Sequence, residues 1–277
     1  MNLPENTKAN QEQIAAEREH IEELKTASAE EIHQAVTEEG TDELNRPTSS
    51  LFWSALAAGI VVTNSLIAEG ILEDAIPQAD WRDLLVSLGY SVGFVIVILG
   101  RMQLFTESTI SAILPFVSKP SLTAGFKTLR LWVIVLTGNF IGTAIAAAIL
   151  SSGLIGNPGH FEAMIEISKS ILERDMFSTF LNAIPAGFVI AILAWTLPNA
   201  RNGSAFWVIL VLTWLIGAGG YTHSIVGSAE AFMLLFNGYS SFQFTFFGFL
   251  LPAVLGNLVG GAGIFALLAH AQVKAQL

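Results

Sequence analysis

The stretch from Gly217 to Ser228 carries side chains that could do chemistry inside a membrane. It reads Gly-Ala-Gly-Gly-Tyr-Thr-His-Ser-Ile-Val-Gly-Ser and lies in a charge-free run from Asn202 to Ala229. A regular helix here would place four glycines and the imidazole of His223 in hydrocarbon. Open backbone at membrane depth is tolerated only inside protein or beside a wet cavity, and an ionisable side chain there indicates a functional site. We therefore predict a broken helix that presents His223 to a pore or binding site.

A second copy of this arrangement favours the functional interpretation over the alternative, in which His223 is only a hydrogen-bonded packing residue. Three short pieces recur in the same order in the two halves of the chain. They pair Ser54–Ile60 with Asn182–Phe188, Phe105–Ser108 with Tyr221–Ser224, and Gly138–Gly142 with Gly256–Gly260. With three spans per repeat the second copy is inverted, and inverted repeats bring their interrupted helices together near the midplane. Thr106 and His223 are thus expected to face one pathway.

The composition indicates a membrane protein. The chain is 52% hydrophobic and 13% charged, with a mean hydropathy of +0.58, whereas soluble proteins carry about 25% charged residues. A membrane-spanning helix needs roughly 20 mostly apolar residues. The sequence supplies six such elements, namely 47–68, 84–118, 131–161, 176–200, 202–229 and 231–273. Because Arg101 and Glu107 interrupt the second element, we predict an all-α protein with six helices in an inverted repeat of three plus three, helices 2 and 5 being interrupted.

Most of the net charge precedes this membrane domain. Residues 1–46 contain twelve acidic and four basic residues, which supply −8 of the formal net charge of −10. We interpret residues 1–47 as an acidic cytoplasmic tail, solvated and partly ordered, and residues 48–277 as the six-span membrane domain. A helical pattern over 10–44 leaves a partner-binding or self-associating helix as the alternative.

Basic loop residues favour the cytoplasmic side of a membrane. Five of them fall on the same side as the N-terminal segment: Lys119, Lys127, Arg130, Arg201 and Lys274. We therefore predict that both termini are cytoplasmic. The charge distribution excludes a basic nucleic-acid surface, and a chain without cysteine has no disulfide and no thiolate metal site. No cofactor is predicted.

The two Gly-x-x-x-Gly pieces are expected to have a packing role. Small residues allow helix backbones to approach closely, and each piece carries an asparagine beside its first glycine. We expect Asn139 and Asn257 to donate and accept hydrogen bonds across the bundle and to hold the broken helices.

Five pieces together carry a family resemblance. They are Leu104–Thr106, Gly138–Asn139, Asn182, Thr222–Ser224 and Gly256–Gly261. In this order they resemble the signatures of the formate/nitrite transporter family, over about residues 50–270. The resemblance implies an aquaporin-like protomer in the inner membrane, a homopentamer with one pore per protomer, and transport of a small monovalent anion such as formate or nitrite.

The resemblance also implies roles for individual residues. His223 and Thr106 match the residues that line the pore centre between two hydrophobic constrictions, and Asn182 matches a pore asparagine of the fourth helix. Leu104 and Phe105 match loop residues beside a constriction. All five are therefore candidate pore or substrate residues.

Four positions depart from the family pattern or match it loosely. Glu107 stands where formate channels commonly have a small polar residue, Thr222 replaces the usual acid before the histidine, and Gly227 stands where an asparagine is typical. Lys169 is the candidate for a vestibule lysine. Charges within a membrane usually pair with one another, so Glu107 is expected to pair with Arg101. The alternative is that Glu107 faces the pore and favours a proton-linked or non-anionic substrate.

The chemistry of such a pore follows from the cost of dehydrating an anion at an apolar constriction. An imidazole can donate a hydrogen bond to the anion, or protonate it so that a neutral acid passes. The sequence leaves both roles open for His223. Thr106 would supply a hydroxyl to the same site.

The sequence bears differently on three other possible functions. The five histidines are scattered, and neither a His-Glu-x-x-His pair nor a Gly-x-Ser-x-Gly elbow is present, so an intramembrane enzyme is not expected. A proton-linked or neutral-solute channel of the same fold stays open. So does a membrane scaffold that recruits a partner through residues 1–46.

Overall fold

The computed structural model describes residues 26–200 and 203–275. Within these ranges the chain is all-helical, without a β-strand. The first part of the acidic segment, including residues 10–25 of its predicted helical pattern, lies outside the described residues, and so does Arg201.

The first half of the chain contains one helix before the membrane domain and three membrane-crossing elements within it. In chain order the helices are α1 (Ala29–Asn45), α2 (Thr48–Val62), α3 (Asn64–Ala75), α4 (Arg82–Leu99), α5 (Ser108–Ser118) and α6 (Leu122–Ser151). Only Thr63 separates α2 from α3, so the two form one crossing of 28 residues. The pair α4 and α5 forms the interrupted second element.

The second half begins with a helix outside the membrane crossings and then repeats the pattern. Its helices are α7 (Pro158–Lys169), α8 (Met176–Thr196), α9 (Ser204–Ala218), α10 (Ser224–Phe236) and α11 (Phe244–Val273), with short 3-10 turns at Ser170–Glu173 and Leu197–Asn199. With 15 and 13 residues, α9 and α10 are each too short to cross a membrane. Together they form the interrupted fifth element, as predicted.

Five helices in the described part of the chain are long and apolar enough to cross a membrane, and the interrupted pair α9 and α10 adds a sixth element. Their outer surfaces are apolar: Trp53 is 65% exposed and Leu268 is 59% exposed. Exposed apolar surface on this scale is typical of a lipid-facing or subunit-facing wall.

The Gly-x-x-x-Gly pieces hold the helices of each half together. A Cβ atom on Gly142 of α6 would overlap the carbonyl oxygen of Leu56 on α2. In the second half, a Cβ atom on Gly260 of α11 would overlap the carbonyl oxygen of Ile184 on α8. Both halves therefore use the close backbone approach that was predicted.

The interpretation of the acidic segment as a solvated tail is wrong for residues 29–45. These residues form α1, which starts with a capping box between Ser28 and Glu31 and packs against α5. Its buried face includes Val36 and Gly40, and a Cβ atom on Gly40 would overlap the backbone of Ser111. α1 also contacts α11, so the first and last helices of the described chain meet on the same side of the protein. We call this side the terminal face and the opposite side the distal face.

Candidate functional site

The first helix break lies between α4 and α5, at residues 100–107. The end of α4 turns tightly, because the amides of Gly100, Arg101 and Met102 donate to carbonyl oxygens at 96, 98 and 97, at 2.9 to 3.0 Å. Arg101 has φ of 53°, in the left-handed region, which is uncommon outside glycine. Three residues later Leu104 accepts a hydrogen bond from Ser108, at 3.0 Å, and starts α5.

The second break, between α9 and α10, repeats this backbone. The amides of Gly219, Gly220 and Tyr221 donate to the carbonyl oxygens of residues 215, 217 and 216 at 2.9 to 3.0 Å. Gly220 has φ of 58°, so it occupies the position of Arg101. His223 accepts from the amide of Gly227 at 2.9 Å, as Leu104 does from Ser108.

One asparagine holds each break. Asn139 of α6 accepts a hydrogen bond from the amide of Phe105 at 2.9 Å and donates to the carbonyl oxygens of residues 55 and 103. Asn257 of α11 accepts from the amide of Ser224 at 2.8 Å and donates to the carbonyl oxygens of residues 183 and 222. Both side chains are 0% exposed. The expected role of the two asparagines is confirmed.

These contacts correct the register of the repeat. The sequence pairing placed Glu107 opposite His223, because the Thr-x-Ser strings look alike. The left-handed residues, the turn hydrogen bonds and the asparagine contacts instead pair Leu104 with His223. In the same register Thr106 corresponds to Ile225. The two breaks therefore share a backbone but place different side chains on it.

The two breaks meet at His223 and Thr106, which are 117 residues apart in sequence. The imidazole Nε2 lies 2.7 Å from the Thr106 hydroxyl. The other ring nitrogen, Nδ1, accepts from the amide of Val226 at 3.2 Å and caps α10. Since an amide can only donate, Nδ1 is the acceptor, and the neutral ring carries its proton on Nε2. Nε2–H then donates to Thr106, whose own hydroxyl proton stays free to donate.

The surroundings of this contact are apolar. Leu104 and Phe105 are each 1% exposed, and the ring of Phe94 meets the His223 ring edge-on at 5.0 Å. Across residues 26–200 and 203–275, no three His, Asp or Glu side chains are grouped so that they could hold a metal ion. The hydrogen bond between His223 and Thr106 therefore lies in an apolar setting, where it is stronger than in water.

Asn182 contacts the second break, not the imidazole. Its side-chain nitrogen donates to the carbonyl oxygen of Gly220 at 2.7 Å and to the hydroxyl of Thr222 at 3.1 Å. In return the amide of Thr222 donates to the carbonyl oxygen of Asn182 at 3.2 Å. Asn182 thus fixes the residue before His223 from α8.

A cavity of about 180 Å³ leads from the distal face to this contact. Thr222 and His223 lie at its inner end, and Glu69, Arg174 and Glu230 are among its charged lining residues. Lys169, the vestibule candidate from the sequence, is exposed and pairs with Glu166 at 2.8 Å. Arg174, and not Lys169, is the cation that lines this cavity.

A second cavity, of about 300 Å³, opens at the terminal face. It is lined by Glu39 and Glu43 of α1 together with Arg101 and Glu107. The predicted pairing of Arg101 with Glu107 is wrong, because Arg101 forms its ion pair with Glu39, at 2.6 Å. Glu107 has no ion pair among the described residues and faces the cavity.

The sequence reasoning missed Glu69, Glu230 and Arg174. A signal for Glu230 was present, since it is the one charged residue in the long stretch 202–273. Glu69 was assigned to the loop after the first span, although α3 continues to Ala75 and keeps Glu69 at 7% exposure. In the sequence each of these two glutamates borders a charge-free run, a pattern that predicts a position at the membrane surface and not inside the protein.

The comparisons with known proteins agree with this geometry. The sequence profile of one family, described as "Formate/nitrite transporter", matches residues 30–271. The chain is 40% identical to "Inner membrane protein YfdC" of Escherichia coli (strain K12) over 243 residues, which is 88% of this chain and 78% of that protein.

Two solved structures share the fold. One is a "Pentameric formate channel with formate bound", with a TM-score of 0.71 and 20% identity, covering 82% of this chain and 98% of that chain. The other is an "FNT family ion channel", with a TM-score of 0.74 and 16% identity, covering 88% of this chain and 98% of that chain. At these identities the likeness establishes the aquaporin-like protomer fold.

Proposed function

Because the chain belongs to the formate/nitrite transporter family, we propose that it is a channel or transporter for small monovalent weak-acid anions such as formate or nitrite. The observation that carries this proposal is the contact between the two breaks, where Nε2 of His223 lies 2.7 Å from the Thr106 hydroxyl. Each protomer would hold one pathway, running from the distal cavity past this contact to the terminal cavity.

The geometry supports hydrogen bonding as the resting role of His223. Its Nδ1 caps α10 through the Val226 amide, so protonating the ring at that nitrogen leaves the amide without its acceptor. Its Nε2–H polarises the Thr106 hydroxyl, which then donates to the oxygen of an anion in the dry centre. A charge-assisted bond of this kind is roughly twice as strong as a neutral one and offsets part of the lost hydration.

The assembly and orientation are proposed on the same basis. A homopentamer is supported by the pentameric formate channel that shares the fold and by the apolar outer surfaces of the helices. We propose that the terminal face is cytoplasmic, because Lys119 follows α5 and Lys127 and Arg130 lie in the N-terminal part of α6 on that side. The protein would then reside in the inner membrane, as the name of its Escherichia coli relative says of that protein.

We propose a domain boundary at Pro47, with residues 48–277 forming the six-span channel domain. Arg46 and Pro47 separate the end of α1 from the start of α2. The docked position of α1 argues against the scaffold hypothesis for residues 29–45. The face that a partner would use, including Val36 and Leu44, is buried against the channel domain.

A second candidate, proton-linked transport, is favoured by the acidic lining of both cavities. Glu69 and Glu230 lie in the distal one, and Glu39, Glu43 and Glu107 in the terminal one. Carboxylates repel a bare anion, but they do not hinder a neutral acid.

The test is solute flux into proteoliposomes, with protein-free liposomes as the control. Formate, nitrite, acetate, lactate, hydrosulfide and the neutral solute urea would be compared by stopped-flow measurement. We expect flux for the small monovalent weak acids and none for urea. Pentameric protein that passed urea but no weak acid would overturn the proposal.

A further inference from the structure

Two carboxylates lie free in the distal cavity. Glu69 of α3 is only 7% exposed, and Glu230 of α10 is partly buried. Both line the cavity that ends at His223. Neither accepts a hydrogen bond or forms an ion pair with any residue in the described part of the chain. They interact electrostatically with each other and with Tyr90, and Arg174 attracts Glu230 without forming an ion pair with it.

Several other charged groups on the surrounding helices are already paired, whereas Asp83 of α4 and Glu162 of α7 form no ion pair among the described residues and do not line this cavity. On α3 and α4, Glu73 pairs with Arg82 at 2.5 Å. At α7, Lys169 pairs with Glu166 at 2.8 Å, and His160 lies 3.6 Å from Asp74.

Arg174 is the cation that shares the cavity with the two glutamates. Its guanidinium lies 3.3 Å from the carbonyl oxygen of Gly220, at the second helix break, and makes no ion pair within residues 26–200 and 203–275. Tyr90, Tyr221 and His223 are the remaining titratable groups of the lining. Arg174 is therefore placed to attract an anion to the spot that the glutamates face.

Because they are buried without a hydrogen-bond or ion-pair partner among the described residues, these carboxyl groups are suited to take up and donate a proton. A buried carboxylate with no counter-charge carries a large desolvation cost, which the uptake of a proton removes. When two such groups repel each other, a proton bound to one of them also removes that repulsion. That proton can be given to an acceptor arriving in the same cavity.

We propose that Glu69 and Glu230 form a proton-loading site that protonates a small monovalent weak-acid anion in the distal cavity before it reaches His223. The inference rests on the second candidate of the proposed function, proton-linked transport, in which the substrate passes His223 as a neutral acid and not as an anion. A carboxyl O–H bond of the glutamate pair breaks, and its proton forms an O–H bond to the anion held by Arg174. The glutamate keeps the electron pair and takes its next proton from water at the distal face. The neutral acid then crosses the apolar centre and releases its proton on the other side.

The terminal cavity does not offer an equivalent site on α1. Glu43 accepts hydrogen bonds from Gln103 at 2.7 Å and Ser111 at 2.6 Å, and Glu39 pairs with Arg101. Glu107 is left without an ion pair to any described residue in that cavity, but as a single carboxylate and not as a pair. We therefore expect proton loading at the distal face and proton release at the terminal face.

The experiment measures formate entry and its electrical and proton balance in proteoliposomes with a pH dye and a voltage dye inside. For the wild type, neutral-acid entry acidifies the interior without building a voltage. Glu69→Gln, Glu230→Gln and the double variant should lose proton-coupled entry by about tenfold or more, as expected for loss of a proton donor, and any remaining flux should build a voltage. The matched control, Glu166→Gln, changes an exposed carboxylate near the same mouth and should behave like the wild type.

Glu230→Asp separates proton loading from packing, because it keeps a carboxyl group and changes the volume. We expect it to retain proton coupling. Equal loss in the Asp and Gln variants would overturn the inference, and so would proton-coupled entry that is unchanged in the double Gln variant. If the double variant does not assemble as a pentamer, the single Gln variants decide by the same criterion. A wild type that passes no weak acid would instead overturn the proposed function.

Discussion

The two helix breaks have the same backbone: both form the same turn hydrogen bonds, and both have a left-handed residue at the same position, Arg101 in the first and Gly220 in the second. On this shared backbone, Leu104 of the first break occupies the position of His223 in the second. Each break is held by a buried asparagine from the third helix of its own half. The side chains nevertheless differ: Leu104 adds apolar surface, whereas His223 caps α10 and contacts Thr106.

This difference separates the residues that shape the backbone of the breaks, which we call the scaffold, from the residues that we propose to contact a solute. The features that shape the breaks, namely asparagines and close-packed glycines, occur twice and are interchangeable between halves. The groups that we propose to contact the solute, His223 and Thr106, occur once, and the two breaks bring them to the same point. Substitutions of the scaffold residues should therefore have similar effects in the two halves, whereas substitutions of His223 and of its counterpart Leu104 should have different effects.

The largest effect is expected from removing the asparagines. Asn139→Ala and Asn257→Ala each delete three hydrogen bonds of a fully buried side chain and leave backbone groups unpaired, which should cost roughly 2–5 kcal/mol of stability. The loss should be similar in the two variants when thermal unfolding is followed in detergent. Asn237→Ala, at the end of α10, is the control. A stable Asn139→Ala protein would contradict the equivalence of the two breaks.

A smaller loss is expected at two equivalent glycines. Cβ atoms on Gly59 and Gly187 would overlap the carbonyl oxygens of Asn139 and Asn257 respectively. Overpacking of this kind costs about 1–3 kcal/mol, so both alanine variants should unfold at lower temperature. Gly263→Ala meets nothing closer than 3.8 Å and is the matched control. Loss in only one of the two halves would show that the scaffold is not used symmetrically.

These scaffold features are also the part of the fold that the sequence predicts best. Glycines at fixed spacing and a neighbouring asparagine are local signals, and the interruption at His223 is visible because glycines and an ionisable residue stand in an apolar run. The register of the repeat was not predictable from the Thr-x-Ser strings, because a left-handed residue can be glycine in one half and Arg101 in the other.

Long-range contacts explain the remaining errors. In the docked position of α1, Gly40 packs against α5, and Glu39 forms the ion pair with Arg101 that the sequence assigns to Glu107. Neither contact has a local sequence signature. An acid-rich segment with few large apolar residues therefore resembles a solvated tail. Glu69 was missed for a similar reason, since only the continuation of α3 places it inside the protein.

A side-chain swap sharpens the comparison of the two breaks through function. In His223→Leu with Leu104→His, the transplanted imidazole would face Ile225, the counterpart of Thr106, and would lack a hydroxyl partner. Assembly should persist, but weak-acid flux in proteoliposomes should fall by about tenfold or more, because loss of one polarised donor at a charged oxygen has effects of that order. Wild-type flux in the swapped protein would mean that only the presence of an imidazole matters.

The smallest effect concerns α1 and pH. Burial, and then the nearby His270, lower the pKa of His33, which lies 3.2 Å from His270. Docked α1 therefore binds fewer protons at His33 than free α1, so docking should weaken as the pH falls below about 6.5. Burial raises the pKa of Glu43, which acts in the opposite sense and strengthens docking on acidification.

The net change in α1 can be followed with one spin label, because the chain has no cysteine. A label at Asp42→Cys, an exposed position of α1, should become more mobile at acidic pH. His33→Gln should remove that increase and leave only the effect of Glu43. An identical pH response in the two proteins would exclude His33 as the cause.

The central claim is that His223 governs flux through its contact with Thr106, and the flux of formate through His223→Phe tests it most directly. His223→Asn belongs in the same experiment, because asparagine can still cap α10 and so distinguishes the effect of losing the cap from the effect of losing the imidazole. His270→Phe is the control, since it changes a histidine far from the helix breaks. The account predicts pentamers in all three cases, no weak-acid flux in His223→Phe and wild-type flux in His270→Phe. Unchanged weak-acid flux in pentameric His223→Phe would contradict it.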